Sequence, residues 1–246
     1  ASHAAHAARR APVFGVHPGD PVIDGPAVMA RVRAERDRFV DFTRETFDDL
    51  PEGTAVRARA RFIGPSELML DDGRRVQARA VVIATGSQAQ IPEPFRDLGP
   101  RILTNETIFE LPDLPDSLAV IGGGPIGLEL AQAMGRLGVP VTLFDQGTRL
   151  GKARCDVVHD ALQDAIARDV TLCLGVETTA SAVDGGIKLS WTGDAAGDQV
   201  FSHVLVAVGR PPNLKGLDLD ASGLVLDDYG TPVFDRTTMQ CGDAPV

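Results

Sequence analysis

Between residues 118 and 131 the chain reads Leu-Ala-Val-Ile-Gly-Gly-Gly-Pro-Ile-Gly-Leu-Glu-Leu-Ala, and no other stretch restricts the fold so tightly. The apolar run without alternation suits a strand buried on both faces. Glycines 122, 124 and 127 then satisfy G-x-G-x-x-G, and a helical pattern over 125–137 follows. Gly122 permits a tight turn, Gly124 lets the backbone approach a pyrophosphate, and Gly127 lets helix and strand pack closely. The helix start offers free N–H groups and a positive dipole end. Asp145 ends the next expected strand, 139–144, at 23 residues past Gly122. A carboxylate there accepts hydrogen bonds from an adenosine ribose and repels a 2′-phosphate. Gln146 and Gly147 follow it, with no arginine until Arg149, so NAD(H) is expected over NADP(H). Glu129 falls in the first turns of the helix. From the residues alone it is either a carboxylate favoured by the helix end or one placed near a nicotinamide.

Around this unit the patterns alternate. A helix over 156–168 and a strand over 170–174 are predicted, then two antiparallel strands over 176–192 turning at Asp184-Gly185-Gly186, then a strand over 204–208. Such alternation means an α/β, Rossmann-like domain with a parallel sheet and right-handed crossovers. Upstream, 2–10 reads as a helical stub, and 27–49 as a helix with Val28, Val32, Phe39, Phe42 and Phe47 along one stripe. Residues 54–63 alternate as a strand. A hairpin with an Asp-Gly turn follows over 68–76. The run 80–84 is apolar without alternation, the mark of another strand buried on both faces, and it stops at Thr85-Gly86-Ser87. Pro92, Pro94 and Pro100 suggest a domain crossing.

Charge and composition exclude other classes. The 246 residues carry a net charge of −10 and 5% aromatics, a poor match to nucleic-acid backbones, anionic membrane surfaces or base-stacking platforms. No window reaches the ~20 apolar residues of a membrane span. Cys155, Cys173 and Cys241 lie far apart and form no CxxC, which fits ordinary thiols in a reducing compartment and a cytoplasmic location. The five histidines are scattered, read as surface or helix-end residues, and no metal site is expected. Trp191 and Tyr229 read as packing residues.

Three motifs in order, residues 81–87, 122–129 and 206–213, resemble those of the pyridine nucleotide-disulfide oxidoreductases, the flavoprotein disulfide reductases, and most of all their dihydrolipoamide dehydrogenase branch. The resemblance covers nearly the whole chain. It implies an NAD-binding domain (98–213) inserted into a partial FAD-binding domain (1–97 with its antiparallel β segment, and 214–246). By position, Gly122, Gly124, Pro125, Ile126 and Gly127 would cradle the NAD pyrophosphate and Asp145 its ribose. Glu129 and Gly209 would lie beside the nicotinamide, and Val176 on the adenine side. Thr85, Gly86 and, more weakly, Ala58 would approach FAD. The implied reaction passes electrons from a small-molecule or lipoyl dithiol through a disulfide and FAD to NAD+, in a homodimer with no nucleic-acid or membrane partner. The chain lacks the family's first FAD fingerprint, its Cys-x4-Cys pair and its His-x4-Glu, so a fragment without bound flavin or its own turnover is expected. Related flavoenzymes without a redox disulfide, such as an NADH oxidase or a ferredoxin reductase, and an NAD-binding module without turnover are the alternatives.

Overall fold

A computed structural model describes all 246 residues. In chain order the elements are α1 (Ser2–Arg10), α2 (Gly25–Asp48), β1 (Ala60–Gly64), β2 (Glu67–Leu70), β3 (Arg75–Gln77), β4 (Ile102–Leu103), β5 (Leu118–Ile121), α3 (Pro125–Arg136), β6 (Val141–Asp145), α4 (Asp156–Ala167), β7 (Thr171–Leu174), β8 (Val176–Val183), β9 (Gly186–Gly193), β10 (Gly197–Phe201) and β11 (His203–Val206). They fall into two compact units. The first comprises Ala1–Asp41 and Ala89–Gly209, the second Phe42–Gln88 and Arg210–Val246.

The first unit is built on a five-stranded sheet in the order β4-β11-β5-β6-β7, parallel throughout. Leu118, Ala119, Val120, Leu143, Val204 and Leu205 are fully buried, because both faces of the sheet are covered. On one face, Leu128, Ala131 and Met134 of α3 and Ile166 of α4 pack with Val120, Leu143 and Leu205. On the other, the antiparallel sheet β8-β9-β10 delivers Ile187, Leu189 and Phe201 onto Ile121, Phe144 and Val206. Trp191 lies 5.0 Å from the Phe144 ring, the packing role expected of it. Two layers of cover explain why these strands show no apolar–polar alternation. Ser117 and Ser202 lock the starts of β5 and β11: each N–H donates to the other's hydroxyl, at 3.0 and 2.9 Å. Residues 1–41 belong to this unit by packing: α1 lies on α3, with Ala5 buried and Arg9 donating to the Arg136 carbonyl (2.6 Å).

The second unit carries the meander β1-β2-β3, in register Ala60↔Leu70 and Leu68↔Val76, around the Asp-Gly turn. Phe62 and Leu70 are its buried anchors, and the Phe62 N–H donates to the Leu217 carbonyl (2.8 Å).

Several expectations need correction. The run 80–84 forms no strand, and Val82 is 87% exposed. The Val81 N–H reaches the Pro245 carbonyl (2.8 Å), but no strand in this chain pairs alongside, and an apolar run becomes a buried strand only between ladder partners. The alternation over 54–63 yields strand only from Ala60, and Val56 stays exposed. Helix α2 forms, yet Phe39, Phe42 and Phe47 on its expected apolar stripe face solvent. The antiparallel insertion has three strands rather than two. The short β4 escaped the sequence reading, and β11 stops at Val206, leaving Val208 partly exposed. His159 is buried and Tyr229 is 93% exposed, the reverse of their expected placements.

Candidate functional site

From β5 the chain winds outward to β6 and β7, whereas β11 and β4 lie on the other side of β5. The carboxyl ends of β5 and β11 therefore form the topological switch point, where open α/β sheets bind ligands. Gly122 leaves β5 at φ +109, pressed so closely to the exit of β11 that a Cβ would stand 2.6 Å from the Ala207 carbonyl oxygen. A Cβ on Gly127 would collide with the Gly122 carbonyl oxygen, so α3 touches the loop it follows. Gly124 differs: its φ is an ordinary −76°, and a Cβ there would meet nothing within 4 Å. It opens on free space at the helix N-cap.

No side chain caps that N-terminus, and Pro125 at the first helical position has no N–H to offer. The Ile126 and Gly127 amides precede the first intrahelical bond, which runs from Leu128 to the Gly124 carbonyl (2.9 Å). Uncapped donors, a positive dipole end and an open approach are the requirements of an anion site at a long helix.

Asp145 ends β6 beside this loop. Its carboxylate accepts the Gly123 N–H on one oxygen and the Gly147 N–H (2.6 Å) on the other. Each oxygen keeps acceptor capacity for a ribose hydroxyl. The Gly151 N–H further ties the following loop to the Gly123 carbonyl (2.8 Å). Arg149, the nearest cation in the sequence after Asp145, is committed to Asp156 (2.8 Å) and the Ala153 carbonyl (2.9 Å). Glu129 stands exposed on α3, with no ion pair.

Gly209 follows β11, accepting the Gln90 N–H (3.0 Å), with space where a side chain would start. Val176 opens β8, directly after Gly175 at the end of β7. It is 2% exposed and packs in the core with Phe144 and Ile187. His159, on α4, is also sunk in the protein, its Nδ1 3.2 Å from Asp160 Oδ1 and its Nε2 without a partner.

In the second unit Thr85 and Gly86 meet the return segment. The Thr85 hydroxyl donates to the Asn213 carbonyl (2.6 Å), the Asn213 amide to the Thr85 carbonyl (3.2 Å), and the Asn213 N–H to the Gly86 carbonyl (2.9 Å). Arg210 clasps the Ser87 carbonyl (2.6 Å). These reciprocal bonds were not legible from either motif alone, because they join residues over 120 apart in sequence. Gly86, at φ +72 with open space, remains free to approach a ligand, but the Thr85 hydroxyl is already engaged. Ala58 lies in irregular chain before β1, its N–H turned to the Val56 carbonyl (3.1 Å).

A model of the pyridine nucleotide-disulphide oxidoreductases matches residues 3–242. The chain is 34% identical to a mercuric reductase of Streptomyces lividans, over 96% of this chain and 51% of that protein. It is 32% identical to the dihydrolipoyl dehydrogenase of Bacillus subtilis, over 77% of this chain and 43% of that one. Among solved structures, LpdA of Mycobacterium tuberculosis superposes with a TM-score of 0.75 at 27% identity, covering 96% of this chain and 52% of its own. The chain spans about half the length of the curated relatives it matches.

Proposed function

The chain belongs to the pyridine nucleotide-disulphide oxidoreductase family, and we propose that its first unit is the NAD(H)-binding part of an FAD- and NAD-dependent dithiol–disulfide oxidoreductase of the dihydrolipoamide dehydrogenase kind. One observation carries the reading: the uncapped start of α3 opens at Gly124 onto free space, with a carboxylate at the end of the neighbouring strand. The Ile126 and Gly127 amides would hold the diphosphate, and the remaining acceptor capacity of Asp145 would hold the ribose. Glu129, exposed and without an ion pair, would accept from the nicotinamide carboxamide, with Gly209 giving the ring room. NAD supplies hydride chemistry when bound, and the protein supplies binding and orientation.

For the flavin, this chain's residues amount to the Thr85–Gly86 turn and its Asn213 clasp. In the whole protein, electrons would pass from a small-molecule or lipoyl dithiol through a disulfide and FAD to NAD+. A homodimeric, cytoplasmic parent enzyme accords with that reading.

The test is a titration of the chain with NADH and NADPH, followed by energy transfer from Trp191, the single tryptophan. Saturable NADH binding with much weaker NADPH binding is expected. Equal or tighter NADPH binding refutes the role of Asp145, and no binding of either refutes the site.

A further inference from the structure

The sheet edge that carries Asp145 holds a second carboxylate. Gly175 directly follows Leu174, the β7 residue whose Cα pairs with that of Asp145. The Gly175 N–H donates to the Gly147 carbonyl (3.2 Å), and the Asp194 N–H to the Gly175 carbonyl (3.1 Å). Asp145 itself holds the Gly147 N–H. A continuous set of hydrogen bonds thus runs from Asp145 to Asp194. The Asp194 side chain lies over Gly175: a Cβ on that glycine would stand 2.8 Å from the Asp194 Cγ and 3.3 Å from the Thr148 methyl carbon, at φ +67. A side chain at 175 would have to push the carboxylate aside, at a left-handed backbone conformation that favours glycine. Asp194 is exposed and pairs with no arginine or lysine.

A dinucleotide laid across a parallel sheet edge advances strand by strand, at about 4.8 Å each. With the diphosphate at the end of β5 and the ribose at Asp145 on β6, the base falls at the end of β7. That is where Asp194 stands. An ionised carboxylate only accepts hydrogen bonds. Adenine offers a donor at its N6 amine, whereas hypoxanthine has an oxygen acceptor in that position.

We propose that Asp194 is a specificity-determining residue for the base, accepting a hydrogen bond from the adenine N6 amine and discriminating against purines with a keto oxygen there. The proposal rests on the dinucleotide reading of the Gly122–Gly127 loop. Gly175 makes room for the carboxylate, and the chain of amides from Asp145 sets its position.

The experiment titrates the chain with NADH and with reduced nicotinamide hypoxanthine dinucleotide, reading energy transfer from Trp191. The wild type is expected to bind NADH roughly tenfold or more tightly than the hypoxanthine analogue. Asp194→Asn can present either its oxygen or its NH2 group to the base. It is expected to bind both nucleotides alike while melting at the wild-type temperature. NADH binding without discrimination in the wild type overturns the proposal and leaves the dinucleotide site standing. So does full discrimination retained in Asp194→Asn. A chain that binds neither nucleotide overturns the site and this proposal together.

Discussion

Replacing Gly124 with alanine separates binding from folding by one methyl group. The backbone there is ordinary for any L-residue (φ −76, ψ 177), and the added carbon meets nothing within 4 Å. Alanine is a poorer N-cap than glycine, at a cost of roughly 0.5–1 kcal/mol. For a chain of this size that lowers Tm by only about 1–4 °C. The same methyl fills the space through which a diphosphate would reach the Ile126 and Gly127 amides. Each hydrogen bond to a charged group lost in this way removes about 1.5–3 kcal/mol, so Kd for NADH should rise at least roughly tenfold. Gly122→Ala is the opposite control. Its Cβ would sit 2.6 Å from the Ala207 carbonyl oxygen, and reaching 3.4 Å, where ordinary contact begins, requires the two loops to part by about 0.8 Å. Overpacking of that kind costs about 1–3 kcal/mol, and alanine at φ +109 adds a further ~1–3 kcal/mol. A Tm loss of roughly 4–24 °C follows, at about 2–4 °C per kcal/mol. Nucleotide titration by energy transfer from Trp191, paired with a thermal melt by circular dichroism, reads both effects. If Gly124→Ala binds NADH as the wild type does, or melts as early as Gly122→Ala, the division of labour among these glycines is wrong.

Asp145→Asn keeps the shape of the residue but loses the charge that accepts the Gly123 and Gly147 amides. NADH affinity should fall about tenfold and the preference over NADPH should shrink, measured by parallel titrations. Arg136 and Asp169 form a half-buried pair at 2.9 Å, with side chains 23% and 14% exposed, and Gln132 also donates to Asp169 (3.1 Å). Arg136→Ala should cost about 1–3 kcal/mol in denaturant unfolding, and adding Asp169→Ala should recover part of it. Burial, reinforced by Arg101, holds the His203 imidazole below its ordinary pKa of 6.5, with Asp116 opposing. The unfolded chain therefore binds this proton first as pH falls. The stability His203 contributes is complete above that ordinary value and is lost as pH drops towards the folded one. Tm should decline as pH falls below about 6.5, and His203→Gln should flatten the decline.

The parallel-sheet unit was legible because its signals are local and agree with one another. Four apolar residues, three glycines and a helix pattern describe β5, its turn and α3 almost to the residue. What escaped depends on partners distant in sequence. The run 80–84 has the composition of a buried strand, but composition supplies no neighbouring ladder, and Val82 ends up in solvent. Val176 sits at a strand end near the site, yet its side chain points into the core shared with Phe144 and Ile187. Asp194 gave no signal at all. It reaches the site only because β9 pairs back on β8 over its whole length, returning the chain to Gly175.

The glycine fingerprint is commonly read as a ligand motif, but two of its three glycines here face protein. Gly122 makes room for the carbonyl of Ala207, and Gly127 for the carbonyl of Gly122. Both would be required in a helix packed this tightly on a strand whether or not any nucleotide were present. Only Gly124, with free space beside an uncapped helix start, has no such packing explanation. One glycine and one carboxylate, Gly124 and Asp145, are therefore what mark this loop for a diphosphate, not three glycines counted equally. Substitutions at 122 and 127 report on packing, so loss of nucleotide binding in those variants would carry no weight unless the melt were unchanged.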